Sequence, residues 1–288
     1  MRVRFWGTRG SIPSPGPHTV RYGGNTPCVE VRTDGGALAI LDAGSGIREL
    51  GRTLMAHTFG EPIQADLFLS HTHWDHIQGL PFFDPLFRPD TQLTIWSIAG
   101  LRPTVERMVR DQMDPAAFPV PFTSVQATVA FGNVGNTPHH LAGYDVRAMA
   151  VRHPGGAAGY RLSAGTLGSG TLVYVSDNEL GPEPAYASPP GWRDELVAFV
   201  GGASVLVHDA TYTEAEYERH RGWGHSHYGE VVELALEAGV ERLVLFHHHP
   251  ERSDIELDEW VDVCRAQVRA RRGAVEVMAA VEGDELTL

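Results

Sequence analysis

Residues 65–76 read ADLFLSHTHWDH, an apolar run of strand length that leads directly into three histidines and an aspartate. These side chains, His71, His73, Asp75 and His76, are of types that bind divalent transition metals. Residues two apart on an extended segment point the same way, so His71 and His73 can hold one ion while Asp75 and His76 turn toward a second. Four such side chains after a buried strand predict a metal centre.

Three further apolar runs end in the same residue types. TLVYVS leads into Asp177, SVLV into His208 and Asp209, and RLVLF into His247. Open α/β sheets bind ligands in the crevice at the carboxyl ends of their strands. We therefore expect the ends of these strands to form one shared site.

Short apolar runs alternate with helical patterns along the whole chain. Many strands with interleaved helices predict a layered α/β fold, with sheet packed on sheet and helices outside. Strands are predicted at 2–6, 28–33, 37–42, 65–70, 92–97, 124–131, 144–151, 158–163, 171–176, 203–208, 241–247 and 274–281. Helices are predicted at 46–57, 102–113, 192–200, 213–220, 227–238 and 257–271.

Three stretches rich in proline and glycine, at 12–25, 132–138 and 181–191, are predicted as loops. Strand patterns resume directly on both sides of each stretch, which argues against domain linkers. We therefore expect one domain spanning residues 1–288.

The composition excludes several classes of chemistry. All 23 cationic residues are arginine, so no lysine is present for a Schiff base, a pyridoxal phosphate anchor or a P-loop. Two cysteines, Cys28 and Cys264, are too few for a thiolate zinc ribbon, an iron–sulfur cluster or a disulfide framework. A net charge of −13 argues against a surface that tracks nucleic acid.

The apolar runs are strand-sized, well short of the roughly 18 residues of a membrane helix. The opening residues MRVRFWGTRG contain no apolar core of a signal peptide. We therefore expect no membrane association and a cytoplasmic location.

The HTHWDH stretch resembles the His-x-His-x-Asp-His signature of the metallo-β-lactamase superfamily, and VRHPGG, YVSDNE and LVLFHHHP resemble its later ligand regions. The resemblance implies a four-layer αββα sandwich and two divalent metal ions per chain. His71, His73 and His153 would hold one ion and Asp75, His76 and His247 the second, with Asp177 bridging. Imidazole and carboxylate suit Zn²⁺, although Mn²⁺ and Fe²⁺ accept the same ligands.

Two ions roughly 3.5–4 Å apart can share a hydroxide whose pKa falls toward about 7. Such a centre hydrolyses a substrate without a protein nucleophile. Asp75 could also orient the attacking water, and Trp74, inside the motif, could line the cleft and contact substrate.

The C-terminal third, with VHDATY at 207–212 and GHSH at 224–227, resembles ribonuclease Z and its small-phosphodiesterase relatives. The resemblance implies that Asp209 orients His225, which would protonate the leaving oxygen as general acid. Ser226 is a plausible N-cap of the helix predicted at 227–238, whose N-terminus could then seat a phosphate.

The chain departs from both kinds of relative. Only residues 154–176 separate His153 from Asp177, with Arg161 the sole charge, which leaves no room for the long basic arm of the tRNA enzyme. Two cysteines cannot supply the cysteine zinc site of the phosphonate-pathway cyclic phosphodiesterases.

The main hypothesis is therefore a dinuclear metal-dependent phosphodiesterase acting on a small or cyclic, anionic diester. A lactone or thioester hydrolase of the same fold and an RNA 3′-processing nuclease remain alternatives, although a nucleic-acid polymer is disfavoured as substrate. A flavodiiron-type oxidoreductase is disfavoured because that family has Glu where this chain has His73. A non-catalytic binding protein is disfavoured because no ligand has been lost, and a homodimer stays open.

Overall fold

The computed structural model describes residues 1–58, 60–164, 170–181 and 188–288. Within these residues the strands form two seven-stranded mixed sheets. In chain order the strands are β1 (Arg2–Gly7), β2 (Cys28–Arg32), β3 (Leu38–Leu41), β4 (Ile63–Phe68), β5 (Thr91–Ile98), β6 (Thr128–Val134), β7 (His139–Leu141), β8 (Tyr144–Val151), β9 (Ala157–Ala164), β10 (Thr171–Val175), β11 (Val205–Asp209), β12 (Arg242–Phe246), β13 (Glu276–Ala279) and β14 (Glu285–Thr287).

The helices of the same residues are α1 (Ile47–His57), α2 (Trp74–Ile77), α3 (Arg102–Asp111), α4 (Trp192–Val200), α5 (Glu214–His220), α6 (Tyr228–Glu237) and α7 (Asp254–Ala270). Short 3₁₀ turns lie at Leu80–Phe82, Asp84–Phe87 and Phe122–Ser124. Across the described ranges, every helix is too short or too polar to cross a membrane.

Each sheet contains a block of four parallel strands. The first sheet runs β14-β1-β2-β3-β4-β5-β6 and is parallel from β3 to β6. The second runs β13-β12-β11-β10-β9-β8-β7 and is parallel from β10 to β13. Carboxyl ends of parallel neighbours lie at the same edge of a sheet, so the segments after β10, β11 and β12 are brought together.

The apolar core has three layers. Residues from both sheets, such as Phe68 of β4 and Phe246 of β12, pack between the sheets. Leu50 of α1 packs with the helices that cover the first sheet, and Leu196 of α4 and Val231 of α6 pack over the second. This arrangement confirms the predicted αββα sandwich. Because both faces of the central strands are covered, strands such as β3 are buried at every position.

Most predicted elements are present with small shifts in their ends. Helix α7 begins at Asp254, three residues before the predicted start, because Ser253 and Glu256 form a reciprocal capping box. Two strands of three residues, β7 and β14, were not predicted. Such short strands carry too few residues for a period-two pattern to be visible.

The strand predicted at 124–131 is displaced in the structure. Residues Phe122–Ser124 form a 3₁₀ turn, and β6 runs from Thr128 through Gly132 to Val134. The prediction of a loop beginning at Gly132 was therefore wrong for its first three residues. A Cβ at Gly132 would lie 2.3 Å from the Trp96 ring, so this glycine makes room for a neighbouring side chain instead of marking a turn.

The other two predicted loops have different outcomes. Residues 12–25 contain no helix or strand, as predicted. Most of the loop predicted at 181–191 lies outside the described residues, which resume at 188.

Candidate metal centre

The HTHWDH stretch changes direction directly after β4. His73 is extended and serves as the N-cap residue of the short helix α2. This turn buries Asp75 and His76, whereas His73 stays exposed at the surface. The motif therefore supplies metal-ligating side chains to two neighbouring positions.

The structure brings the predicted metal-facing residues together. Their ligand atoms, together with those of His225, the predicted general acid, form three groups, each with all atoms within 4.8 Å of one another. The groups are His71, His73, His153 and Asp177; Asp75, His76 and His247; and Asp177, His225 and His247.

Asp177 lies between the first two groups with one oxygen toward each. Its Oδ2 is 3.6 Å from Nε2 of both His71 and His153. Its Oδ1 is 3.1 Å from Nε2 of His76 and 3.3 Å from Nε2 of His247. A carboxylate in this position can bridge two cations.

Four of the histidines are held by hydrogen bonds at Nδ1, which leaves Nε2 to face Asp177. Such bonds fix the tautomer and orientation of a metal-ligating imidazole. The Nδ1 partners are Ser70 Oγ for His71 (3.0 Å), Asp42 Oδ2 for His76 (2.8 Å), Gly224 O for His153 (2.9 Å) and Thr211 Oγ1 for His247 (3.1 Å).

These donors fit a metal. Nε2 of His71 and Nε2 of His76 are buried and have no hydrogen-bond partner among the described residues. Nδ1 of His73 lies only 2.9 Å from Nε2 of His153, so two ring nitrogens face each other. A buried nitrogen without a partner is costly, and a divalent cation satisfies it. Imidazole with carboxylate is a donor set for Zn²⁺, Mn²⁺ or Fe²⁺.

The charge states of His71, His153 and Asp177 match this use. His76 differs: burial opposes its charged form, but Asp177, Asp75 and Asp42 raise its pKa well above the usual range. Burial holds the pKa of His71 well below its usual range and lowers the pKa of His153 to about 4, so both imidazoles are neutral and can donate a lone pair. Burial alone would raise the pKa of the Asp177 carboxyl, but His247, His76 and His71 hold it well below its usual range. This carboxylate is therefore ionised.

Two residues beside the site adopt left-handed backbone conformations. Asp42 has φ 60° directly after β3, and His247 has φ 57° directly after β12. Such conformations are strained for residues other than glycine and cluster at functional sites. The Thr211 hydroxyl oxygen lies 2.8 Å from the His247 carbonyl oxygen.

Asp209 and His225 form a pair beside this cluster. His225 Nδ1 is 2.9 Å from Asp209 Oδ2, and its ring stacks on His247 with centroids 4.9 Å apart. The other carboxylate oxygen of Asp209 accepts from the backbone and hydroxyl of Thr211. Burial opposes the charged form of His225, but Asp209, with smaller contributions from Asp177 and Asp75, raises its pKa to about 9.

Residues 39–248 match the family profile of the Beta-lactamase superfamily domain. This chain belongs to the metallo-β-lactamase superfamily. Ribonuclease Z of Halobacterium salinarum is 30% identical in an alignment of 286 positions that covers 86% of this chain and 86% of its own. Ribonuclease Z of Staphylococcus carnosus is 25% identical over 89% of this chain and 92% of its own.

Solved structures share the fold across the whole chain. Unliganded yeast PDE1 superposes with a TM-score of 0.72 at 15% identity, covering 100% of this chain and 99% of its own. The short form of human tRNase Z superposes with a TM-score of 0.64 at 19% identity, covering 100% and 99%. With its superfamily relatives, this chain is a hydrolase of a fold that implies divalent metal binding, and its cluster of His and Asp residues could hold such ions.

The structure corrects the expectation for Ser226 in this metallo-β-lactamase fold. Helix α6 begins at Tyr228, and its N-cap is His227, whose side chain accepts from Gly229 N. Ser226 is fully buried, and its hydroxyl donates to Asn178 O at 2.6 Å and accepts from Leu180 N at 3.2 Å. Ser226 is therefore not the N-cap, and its hydroxyl is occupied within the protein. Trp74, in contrast, is 59% exposed.

Two carboxylates that support the site were missed from the sequence. Asp42 accepts from His76 Nδ1, from Ser70 N and Oγ, and from the Tyr174 hydroxyl. A signal for it exists, because the apolar run ALAIL leads directly into Asp42, as the other site strands lead into His or Asp.

The second missed carboxylate is Glu179, two residues after Asp177. It is fully buried and binds the backbone of the loop that precedes His225. Its partners lie some forty residues away in sequence, so only its position beside Asp177 could have indicated it.

Proposed function

We propose that this metallo-β-lactamase superfamily hydrolase cleaves phosphodiester bonds in small or cyclic diesters. The observation that carries the proposal is the Asp209–His225 pair beside Asp177. Phosphodiester cleavage releases a basic alkoxide, which needs a proton donor.

The metal ligands are proposed as implied by the superfamily resemblance. His71, His73 and His153 would hold one divalent ion, Asp75, His76 and His247 a second, and Asp177 would bridge them, with zinc the first choice. Divalent ions in such a centre lower the pKa of water toward about 7 and neutralise phosphate charge. The split of Asp177 between the two groups of histidines supports a pair of ions over a single one.

The remaining roles fall to groups at the edge of the centre. Asp209 holds the Nδ1 proton of His225, so that Nε2 can give its proton to the leaving oxygen. Asp75, whose Oδ2 accepts from Ser11 N at 2.7 Å, could orient the attacking water as well as bind metal. Trp74, exposed within the motif, could contact substrate.

An RNA 3′-processing nuclease is the second candidate, because the curated relatives are named ribonuclease Z. The length of the chain between the third and fourth ligand regions favours small diesters. Strands β9 and β10 occupy 157–164 and 171–175. Only residues 165–170 join them, too few for an arm that grips tRNA.

A lactone or thioester hydrolase is the third candidate. Its tetrahedral oxyanion can be stabilised by electrostatic groups. The thiolate that leaves a thioester needs little protonation, whereas lactone opening releases a basic alkoxide. The Asp209–His225 pair would have no chemical task in thioester hydrolysis, so it favours a substrate with a basic leaving oxygen.

The proposal is tested by Asp177→Ala. We expect metal content to fall from about two ions per chain to well below one, together with loss of turnover on bis(p-nitrophenyl) phosphate, because the bridging carboxylate supports both ions. Elemental analysis and initial rates on the same sample provide the measurement. Asp262→Ala, at an exposed position on α7, is the control and should retain both properties.

One ion per chain in fully active wild-type protein would refute the dinuclear assignment. Turnover of lactones or thioesters, with none of any diester, would refute the phosphodiesterase proposal.

A further inference from the structure

Trp223 is a large aromatic side chain exposed next to the candidate general acid. It is 62% exposed and lies two residues before His225. Scattered exposed apolar residues are ordinary on protein surfaces, so exposure alone indicates nothing. The way this loop is held distinguishes Trp223 from such residues.

The buried carboxylate of Glu179 fixes the loop on both sides of Trp223. Gly222 N donates to Glu179 Oε1 at 2.9 Å, and Gly224 N donates to Oε2 at 3.0 Å. Both glycines have positive φ, 82° and 88°, which a residue with a Cβ adopts at a cost. The Tyr217 hydroxyl adds a third donor to the same carboxylate at 2.9 Å. Trp223 is therefore displayed on a fixed backbone.

A continuous column of rings joins Trp223 to the acid. The rings of Trp223 and His220 pack in a T-shaped arrangement with centroids 4.9 Å apart. The His220 ring stacks on the Tyr212 ring with centroids 4.7 Å apart and an interplanar angle of 9°. The Tyr212 ring packs against the His225 ring with centroids 5.9 Å apart. The His220 ring is held by its Nδ1, which donates to Glu216 O at 2.7 Å. Trp223 is thus the exposed end of a series of packed rings that begins at His225, the proposed proton donor to the leaving oxygen.

We propose that Trp223 is a stacking site for a planar aromatic group, such as a nucleobase, in the leaving part of the substrate. The inference rests on the proposed function, because it takes His225 as the group that protonates the leaving oxygen. Stacking of a base on an aromatic side chain is sequence-tolerant and needs only an exposed π-face on a fixed support. The substrate class is therefore a small diester whose leaving alcohol carries an aromatic ring.

The turnover experiment compares two diesters with leaving groups of similar acidity, methyl phenyl phosphate and methyl hexafluoroisopropyl phosphate. For Trp223→Leu, which keeps apolar bulk without a π-face, we expect KM for the phenyl ester to rise about tenfold. Trp223→Phe should stay within about threefold of wild type, and neither variant should change KM for the fluoroalkyl ester. Ile255→Ala, 68% exposed on α7, is the control for loss of a surface apolar group.

A binding experiment separates this inference from the proposed function. Calorimetry on the metal-loaded protein compares adenosine 5′-monophosphate with ribose 5-phosphate, which lacks the base. Trp223→Leu should weaken the nucleotide about tenfold and leave the sugar phosphate unchanged.

If the wild-type protein cleaves both diesters, and Trp223→Leu changes KM equally for both or for neither, the stacking site is refuted and the phosphodiesterase proposal stands. If the wild-type protein cleaves no diester, but Trp223→Leu weakens binding of the nucleotide and not of the sugar phosphate, the phosphodiesterase proposal is refuted and the stacking site is supported.

Discussion

His225 and His153 show how single residues at this site are positioned by atoms far away in sequence. The Gly224 carbonyl accepts from His153 Nδ1, and a Cβ at Gly224 would lie 2.2 Å from that nitrogen. The same backbone leads directly into His225, whose Nδ1 is held by Asp209. The residue that orients a metal-facing histidine therefore adjoins the residue that is proposed to protonate the leaving group.

We predict that His225→Ala keeps its metal and loses turnover most on diesters with basic leaving groups, because protonation matters where the departing oxygen is basic. A loss of about 10²–10⁴-fold is expected for alkyl leaving groups, and a much smaller loss for nitrophenolate. The measurement is kcat/KM across a series of leaving groups, with elemental analysis of the same samples.

His57→Ala, at an exposed position at the end of α1, is the matched control and should leave the whole series unchanged. If His225→Ala lowers kcat/KM by one common factor for every leaving group, His225 has no role as general acid.

The sequence predicts the metal-facing residues better than the residues that hold them. Ligand types concentrated after apolar runs are visible in a linear pattern, so His71, Asp177 and His247 could be singled out. Asp42 could not be tied to His76, since their bond joins residues 34 apart that meet only through the pairing of β3 with β4. The pairing of Asp209 with His225 came from the resemblance and not from spacing.

At the scale of secondary structure, α6 carries a carboxylate in an unfavourable environment. Glu230 lies in the first turn of the helix, and its Oε2 is buried without a hydrogen-bond partner among the described residues. Burial, opposed by Arg193 and assisted by Glu179, raises the pKa of Glu230 to about 7. Between about pH 4.3, the pKa of an unperturbed Glu, and pH 7 the folded state binds a proton that the unfolded chain has already lost.

This shift has a defined sign. Between about pH 4.5 and pH 7 the folded protein holds more protons than the unfolded chain at Glu230, so the free energy of unfolding falls as pH rises through this window. Glu230→Gln removes the effect and should stabilise the protein by about 1 kcal/mol at pH 8, after allowance for partial exposure. Near pH 4 the variant and wild type should be almost equally stable.

Urea denaturation at several pH values measures this difference, with the exposed Glu259→Gln on α7 as control. A stability difference between Glu230→Gln and wild type that does not change with pH would show that Glu230 ionises normally in the folded state.

Elements with long periodic patterns are predictable from this sequence, whereas their ends depend on local contacts. Helix α7 begins at its capping box, a signature that is present in the sequence as Ser253 and Glu256. The end of β6 depends on Gly132 lying beside the Trp96 ring, a tertiary contact that local patterns do not contain.

At the scale of the whole molecule, the site needs both sheets. The first sheet provides the HTHWDH stretch after β4, and the second provides Asp177, Asp209 and His247 at the ends of β10, β11 and β12. Because the ligand groups contain residues from both sheets, metal binding is coupled to the packing of one sheet on the other. The layered fold and the meeting of these strand ends in one site could be predicted from the sequence, but the division of the strands between two facing sheets could not.

The charge of the whole molecule sets the last prediction, which concerns substrate size. A polynucleotide is held by many phosphate contacts, and each neutralised phosphate steepens the log–log dependence on salt by about 0.9 for a duplex. This chain has a net charge of −13 and no lysine, so it offers few such contacts outside the metal centre. We expect kcat/KM for a small diester such as bis(p-nitrophenyl) phosphate to fall by no more than about threefold between 50 and 200 mM salt, the change that one phosphate contact produces. Precursor tRNA should be processed slowly or not at all under the same conditions. The contradicting result would be efficient tRNA cleavage that falls by about 10³-fold or more between 50 and 200 mM salt. Such a fall requires about six or more phosphate contacts. These contacts would need a basic surface formed by arginines to which the small-diester proposal assigns no role.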